Sequence, residues 1–344
     1  MRLPAGPRGR SLTLLSLMLA LLVLVAACEE AAEDPADADA EGDAEEAAAT
    51  DEALTLGTGS TGGTYYPLGG AMTEAWNSEL DVSLSTQATG ASVENLRLLA
   101  AGELDLIMAV NGVGFDAFEG TGEFEEEGDH AIESLGNVYP EVLQIVARAD
   151  AGIETIEDLE GARVAIGPPG SGTEVAAREL LDLAGLDADE DIEAFSETFG
   201  DATDQLQDGQ VDAAFAILAL PAGGIEEVAS STDIAIVNID GEIQEQMLEM
   251  DESYSALDVP ADTYSSQEED AVTLANWATL YVEEGFDEDL GYDLAATLYE
   301  SADEIADTIA VGEQIDAETA VDGLGPIPLN PGAEAYFDEQ GVLD

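Results

Sequence analysis

The chain has 344 residues, and its 77 acidic residues against seven Arg and no Lys give a formal net charge of -70. That balance excludes nucleic acid as a partner, because phosphate backbones are held by clustered cations. Apolar residues still make up 46% of the chain and recur in strand-like and helix-like runs, so the charge belongs to the surface of a folded body. Concentrated salt screens such a surface, the Debye length falling to about 3 Å at 1 M, and the composition points to a halophilic source.

The chain opens on Arg2, Arg8 and Arg10, continues through an apolar run over 14–26, and closes that run with Val25-Ala26-Ala27-Cys28. This is the pattern of a lipoprotein export signal: residues 1–27 are the expected leader and Cys28 the expected site of lipidation. The run is short against the roughly 20 residues of a spanning helix; the alternative is an uncleaved signal anchor. Either reading places the body extracytoplasmically, on the outer face of the cell membrane. Cys28 is the sole cysteine, so no internal disulfide is available. Removing 1–27 takes away three Arg and no acid, which moves the charge from -70 to -73. Residues 28–52, mostly Ala, Asp and Glu, read as an acidic disordered tether.

From residue 53, short apolar runs alternate with longer amphipathic ones, the pattern of α/β units with a mostly parallel sheet. The first series predicts a strand over 54–57, a helix over 64–77, a strand over 82–85, a helix over 91–101, a strand over 104–110 and a short helix near Phe115. The long β-rich stretch 138–147 suits a strand that leaves one unit for the other. A second series, from Gly161, predicts a strand over 164–167, a helix over 173–184, a helix around 203–207, and strands over 213–218 and 234–237. The tail after Asp262, with a strand over 272–277 and helices over 292–301 and 333–340, has no sheet of its own and is expected to return to the first unit. The boundaries are therefore 53–147 with 260–344 for lobe I and 148–259 for lobe II. Ligands in open α/β sheets bind beyond the carboxyl ends of strands, which places the expected site between the units.

Three strand-to-helix junctions are rich in Gly and hydroxyls: 57–66, 86–95 and 167–173. Each leaves helix-start N–H groups free beside Ser or Thr, and such ends hold a carboxylate through backbone dipoles alone. The alternative is that Ser60, Ser92 and Thr173 are ordinary N-caps. Gly57, Gly59 and Gly62 fit G-x-G-x-x-G, but the acid expected at the end of the next strand is replaced by Thr86-Gln87, so no dinucleotide is expected. A P-loop needs a Lys, and no D-x-[DN]-x-[DN]-G calcium loop occurs. His130 is the only histidine, lies in an acidic loop and has no nucleophile elbow to serve. No enzyme activity, cofactor or metal is expected.

Ordered segments across the mature region carry a family resemblance: Gly59-Ser60-Thr61-Gly62-Gly63-Thr64-Tyr65-Tyr66-Pro67, Thr89-Gly90-Ala91-Ser92-Val93-Glu94-Asn95, Tyr139-Pro140-Glu141, Gly170-Ser171-Gly172-Thr173 and Ile327-Pro328-Leu329-Asn330-Pro331-Gly332. In these the chain resembles the TAXI-type solute receptors of TRAP transporters. The resemblance implies a two-lobed periplasmic-binding-protein fold with two crossovers, closing on a small organic acid or amino acid such as a dicarboxylate, glutamate or glutamine. It also implies a partner permease driven by an ion gradient; a monomer is expected. The residues expected to line the pocket are Ser60, Thr61, Thr64, Tyr65, Ser92 and Asn111 from lobe I, with Ser171, Gly172 and Thr173 from lobe II. Tyr139 is expected to join Tyr65 as an apolar wall bearing a hydroxyl. Arg97 and Arg178 are expected to pair with surface acids. The rival readings are the binding component of an ATP-driven importer and an exported enzyme on the same fold.

Overall fold

The computed structural model describes residues 53–343; the leader, Cys28 and the tether lie outside them. In chain order, β1 (Ala53–Gly57), α1 (Tyr65–Glu79), β2 (Ser83–Gln87), α2 (Ser92–Ala100), β3 (Leu106–Val110) and α3 (Asn111–Glu119) lead into the long strand β4 (Ile132–Arg148). A second series comprises β5 (Arg163–Ala165), α4 (Gly172–Leu183), β6 (Glu193–Phe195), α5 (Phe199–Gln207), β7 (Ala213–Leu218), α6 (Gly223–Ala229), β8 (Ile234–Ile236), α7 (Gly241–Met250) and β9 (Ser255–Val259). Strand β10 (Ala271–Glu283) then leads to α8 (Glu288–Glu300), α9 (Ala302–Thr308) and α10 (Pro331–Gln340).

The strands form one sheet in the order β2-β1-β3-β10-β4-β7-β5-β6, with β8 added to β4 and β9 to β10. Strand β1 runs parallel to β2 and β3, and β5 runs parallel to β6 and β7, giving two parallel groups. Strands β4 and β10, antiparallel to each other, pass through both. Strand β4 pairs with β10 from Ile132 to Leu143 and with β7 from Val142 to Ala147. Strand β10 pairs with β9 over Ala271–Ala275 and with β3 over Ala278–Tyr281. Two α/β groups joined by two crossing strands make the two-lobed periplasmic-binding-protein fold, in agreement with the expected class.

The partner change in β4 falls at Val142 and Leu143, ahead of the boundary placed at residue 147. The Ala271–Ala275 half of β10 pairs with β9, on the lobe II side, although the boundary at 260 assigned it to lobe I. The reason is that both strands are continuous through the change, with no Gly or polar turn to mark it. Strand β10 also outruns the predicted 272–277, because its buried threonines find hydrogen-bond partners inside the sheet. The Thr279 hydroxyl donates to Asn137 Oδ1 at 2.7 Å, and the Thr273 hydroxyl donates to the Leu143 carbonyl.

The chain after β10 packs on the first group. Indole Nε1 of Trp76 on α1 donates to the Leu294 carbonyl of α8 at 2.9 Å, and the Tyr299 hydroxyl donates to the Asn137 carbonyl of β4 at 2.7 Å. Around these bonds Leu56, Leu68, Leu135, Leu298 and Phe337 form one buried cluster. Helix α10 starts where Asn330 Oδ1 accepts from Gly332 N–H with Pro331 in the first turn, and it stops at Gly341, whose φ of 74° suits glycine. Strands β6 and β9 and helices α6, α7 and α9 were not read from the sequence; α7 buries only Met247, which leaves little apolar period to see. Among the described residues no helix is long and apolar enough to cross a membrane.

Candidate functional site

The three junctions after β1, β2 and β5 converge between the lobes. Asn95, fully buried on α2, holds the first two in register: its Nδ2 donates to the carbonyls of Thr58 at 2.6 Å and Met108 at 2.8 Å, and its Oδ1 accepts from the Thr89 hydroxyl at 2.6 Å. The third junction meets the second directly, since the N–H groups of Val93 and Glu94 donate to the Gly170 carbonyl at 3.1 and 3.3 Å. The lobes also touch where Gly62 faces Gly200; a Cβ on Gly62 would lie 2.8 Å from Gly200 Cα.

Between these contacts lies a cavity of about 70 Å³. Ser60, Gly63, Thr64 and Tyr65 line it from the first junction, Gly90, Ala91 and Ser92 from the second, and Pro168, Ser171, Gly172 and Thr173 from the third. Val110, Phe199, Ile217 and Leu218 supply apolar walls. Through Gly63, Thr64 and Leu218 it adjoins a larger cavity of about 320 Å³ that reaches Pro221 and Val311.

The N–H groups of Tyr65, Ser92, Gly172 and Thr173 make no hydrogen bond to other described residues. They open α1, α2 and α4, whose aligned dipoles place roughly half a positive charge at each start. Ala91, just before α2, is held at φ 77° and ψ -141°, a backbone region that only glycine adopts freely. That strain lies in the cavity wall.

The opposite chemistry comes from β4. Glu141 lines the cavity, only 2% exposed, with Oε2 accepting from the Tyr65 hydroxyl at 2.6 Å and Oε1 accepting from the Tyr139 hydroxyl at 3.0 Å. Burial pushes its carboxyl up to about 8, against the downward pull of the two phenol hydrogen bonds. Burial, and then the charge of Glu141, hold both phenols well above the ordinary tyrosine value. Hydroxyls of Ser92 and Thr64 oppose that rise at Tyr65 and Tyr139 respectively, so the hydroxyls, phenols and carboxyl form one chain of polar groups. The two rings meet edge to face with centroids 6.4 Å apart.

No cationic side chain lines the cavity. Arg97 pairs with Glu127 at 2.8 Å, Arg148 with Asp150 at 3.0 Å, Arg163 with Asp212, and Arg178 with Glu174 at 3.3 Å and Asp189 at 3.4 Å. Arg97 and Arg178 thus take the surface pairings expected of them. His130 packs against Phe124 with centroids 4.9 Å apart, beside Glu127. Among the described residues no group of three or more His, Cys, Asp or Glu is placed to hold a metal ion.

Of the ten expected site residues, the structure brings seven to this cavity: Ser60, Thr64, Tyr65, Ser92, Ser171, Gly172 and Thr173. Thr61 turns instead to the adjoining cavity. Asn111 is displaced from the site altogether: its Nδ2 donates to the Gly323 carbonyl at 3.0 Å, and its Oδ1 accepts from Gly112 and Trp277 N–H at 3.1 Å, so its amide is consumed in tying α3 to β10. Tyr139 is fully buried and does not line the cavity; its hydroxyl donates to Glu141, which does. The N-cap alternative also changes shape, since none of Ser60, Ser92 or Thr173 is a cap; the capping hydroxyl is Ser171, which accepts from Glu174 N–H at 3.1 Å. Sequence reading missed Glu141, although a lone acid inside an apolar strand run is a visible signal.

The two lobes, the paired crossing strands and the cavity between the lobes define a protein of the periplasmic-binding-protein fold. The chain belongs to the NMT1-like family, whose model matches residues 56–341. It is also similar to the periplasmic aliphatic sulphonate binding protein SsuA from Escherichia coli, with 18% identity, 83% of each chain covered and a TM-score of 0.45. A mutant of ArgBP from T. maritima aligns at 15% identity over 76% of this chain and 94% of that one, with a TM-score of 0.47. An ABC uptake transporter substrate binding protein from Streptococcus pneumoniae with bound histidine aligns at 14% identity over 78% of this chain and 96% of that one, with a TM-score of 0.47.

Proposed function

We propose that the protein is an extracytoplasmic receptor that takes one small carboxylate-bearing solute between its lobes and presents it to a membrane transporter. The observation that carries this reading is the convergence of helix starts from both lobes, their N–H groups unpartnered, on one small cavity. A carboxylate placed there receives the N–H groups of Ser92, Gly172 and Thr173 together with the Ser60 and Thr173 hydroxyls, with no need of a cationic side chain. One solute touching both lobes favours the closed arrangement over an open one, which is how such a receptor signals occupancy. Calorimetric titration of small carboxylates into the protein at high salt tests it; heat of binding from none of them would refute it.

The ordered motifs shared with TAXI-type receptors support a TRAP permease as partner, with an ATP-driven importer as the alternative. Capture of solubilised membrane proteins by the loaded receptor separates the two: a polytopic permease without an ATPase supports the first, an ATPase-containing complex the second. Export and anchoring through Cys28 rest on the leader pattern, and the mass of the mature amino-terminal peptide tests them. The acidic coat supports work in concentrated salt, and circular dichroism on dilution below about 0.5 M salt is expected to show loss of tertiary structure as self-repulsion is unscreened.

A further inference from the structure

A carboxylate seated on the helix starts leaves Glu141 without a role, and its surroundings define one. Each Glu141 oxygen accepts a single phenol hydrogen bond, so each keeps an unused lone pair. If it ionises, the buried Glu141 carboxylate has no positive partner from the protein, because the four Arg of the described body are all committed to other acids. Asn276 on β10 stands directly opposite Glu141 in the antiparallel register, which puts the two side chains on one face of the sheet. Its buried Nδ2 has no hydrogen-bond partner, a second polar group here whose needs the protein leaves unmet.

We propose that Glu141 is the specificity-determining residue of the cavity: held by the Tyr65 and Tyr139 hydroxyls, its carboxylate takes the protonated amine of a solute whose own carboxylate sits on the helix starts. The solute is then a small zwitterion of the free α-amino acid class. This rests on the receptor reading above and narrows it, because a dicarboxylate could set its second anion against Glu141 only while Glu141 keeps its proton, whereas an ammonium group is matched by the ionised form. Val110, Phe199, Ile217 and Leu218 supply walls, and the adjoining cavity supplies room for a side chain.

The two charge arrangements differ in their protons. In the free protein Glu141 titrates near 8, so at pH 7 it is mostly protonated. Seating an ammonium group expels that proton; binding at pH 7 then releases a proton from most molecules, and affinity rises as pH climbs towards 8 and levels above. A carboxylate hydrogen-bonded by protonated Glu141 would release none and would bind more weakly above pH 8. The groups facing Glu141 are Tyr65 from α1, Tyr139 from β4 itself and Asn276 from β10, and its charge also reaches Tyr254 just before β9. Tyr254 also feels Glu179, Asp251 and Asp116, and Glu179 is pushed up to about 7, first by burial and then by Asp251 and Asp116. Glu179 therefore titrates in the same window and is the necessary control.

The experiment is titration calorimetry on the full-length chain at high salt, in two buffers of different ionisation enthalpy, with L-amino acids set against succinate, glutarate and 2-oxoglutarate. The expected result is tightest binding by an L-amino acid with release of nearly one proton at pH 7. E141Q is expected to weaken it about 30-fold or more and to abolish the release attributable to this group, while E179Q keeps the affinity. The proton count and pH profile of the unmodified protein need no variant, so they decide the matter even if E141Q fails to fold. A dicarboxylate binding more tightly than every amino acid, or amino-acid binding without proton release at pH 7, overturns this proposal and leaves the receptor reading standing. Binding of neither class overturns both.

Discussion

The two ends of the cavity handle charge by opposite means. At one end the protein offers backbone: the free N–H groups of Ser92, Gly172 and Thr173 at the starts of α2 and α4. At the other it offers a side chain, Glu141, enclosed by Tyr65 and Tyr139. The difference follows from composition. In a chain with 77 acids and seven Arg, a cationic side chain in the cavity would compete with neighbouring carboxylates, as the surface pairs of all four described Arg illustrate. Peptide dipoles have no such competitors, so they suit anion binding in this molecule. A carboxylate, by contrast, is abundant everywhere and becomes distinctive only through burial, which raises Glu141 to about 8 and leaves it protonated until a cation is set beside it.

The largest effect is expected from keeping the two ends from meeting on one solute. Gly62→Val would place a side chain against the Gly200 backbone and wedge the lobes apart. Affinity should fall more than 100-fold, with the thermal midpoint of the free protein little changed because the contact belongs to closure; retention of affinity would show that closure does not bring these glycines together.

Next comes the acidic end by itself. A carboxyl raised in the folded state destabilises that state as pH rises from its unfolded value near 4.5 towards 8, so its removal should stabilise the free protein. E141Q is expected to raise the midpoint by several degrees at pH 8 and by less at pH 5, read by calorimetric scans at fixed high salt. A drop at pH 8 would mean that the phenol hydrogen bonds outweigh the buried charge.

The anion end should respond more gently, since its donors are main chain. Thr173→Val removes one hydroxyl and keeps the N–H, for an expected five- to tenfold loss of affinity. Ser171→Ala is the poorer probe because that hydroxyl also caps α4, at about 1 kcal/mol of stability. The smallest effect belongs to the strained wall: Ala91→Gly should relieve a positive φ and raise stability by about 1 kcal/mol, or about 2 °C, with binding unchanged.

Much of the fold was legible because it rests on local patterns. Alternating apolar runs marked β1, α1, β3 and α4 to within a few residues, and the long β-rich stretch from Val138 to Ala147 marked a crossing strand. The second crossing strand was cut short at residue 277, because Thr279 beyond it reads as polar and is in fact buried within the strand. The anion end was also readable, since Gly and hydroxyl residues between a strand and a helix are a local signature. Asn111 was misplaced because its partners, Gly323 and Trp277, are remote in sequence. Glu141 stayed hidden for the same reason: the cavity it faces is assembled from α1, α2 and α4, and only the fold separates it from the many acids in solvent.

The most direct test is the position of a bound solute in crystals grown from high salt with the tightest-binding L-amino acid. The expected electron density has the carboxylate within hydrogen-bond reach of the Gly172 and Thr173 N–H groups and the ammonium within reach of Glu141. A solute turned end for end, or lodged away from the lobe interface near Arg148 and Asp233, would contradict the account.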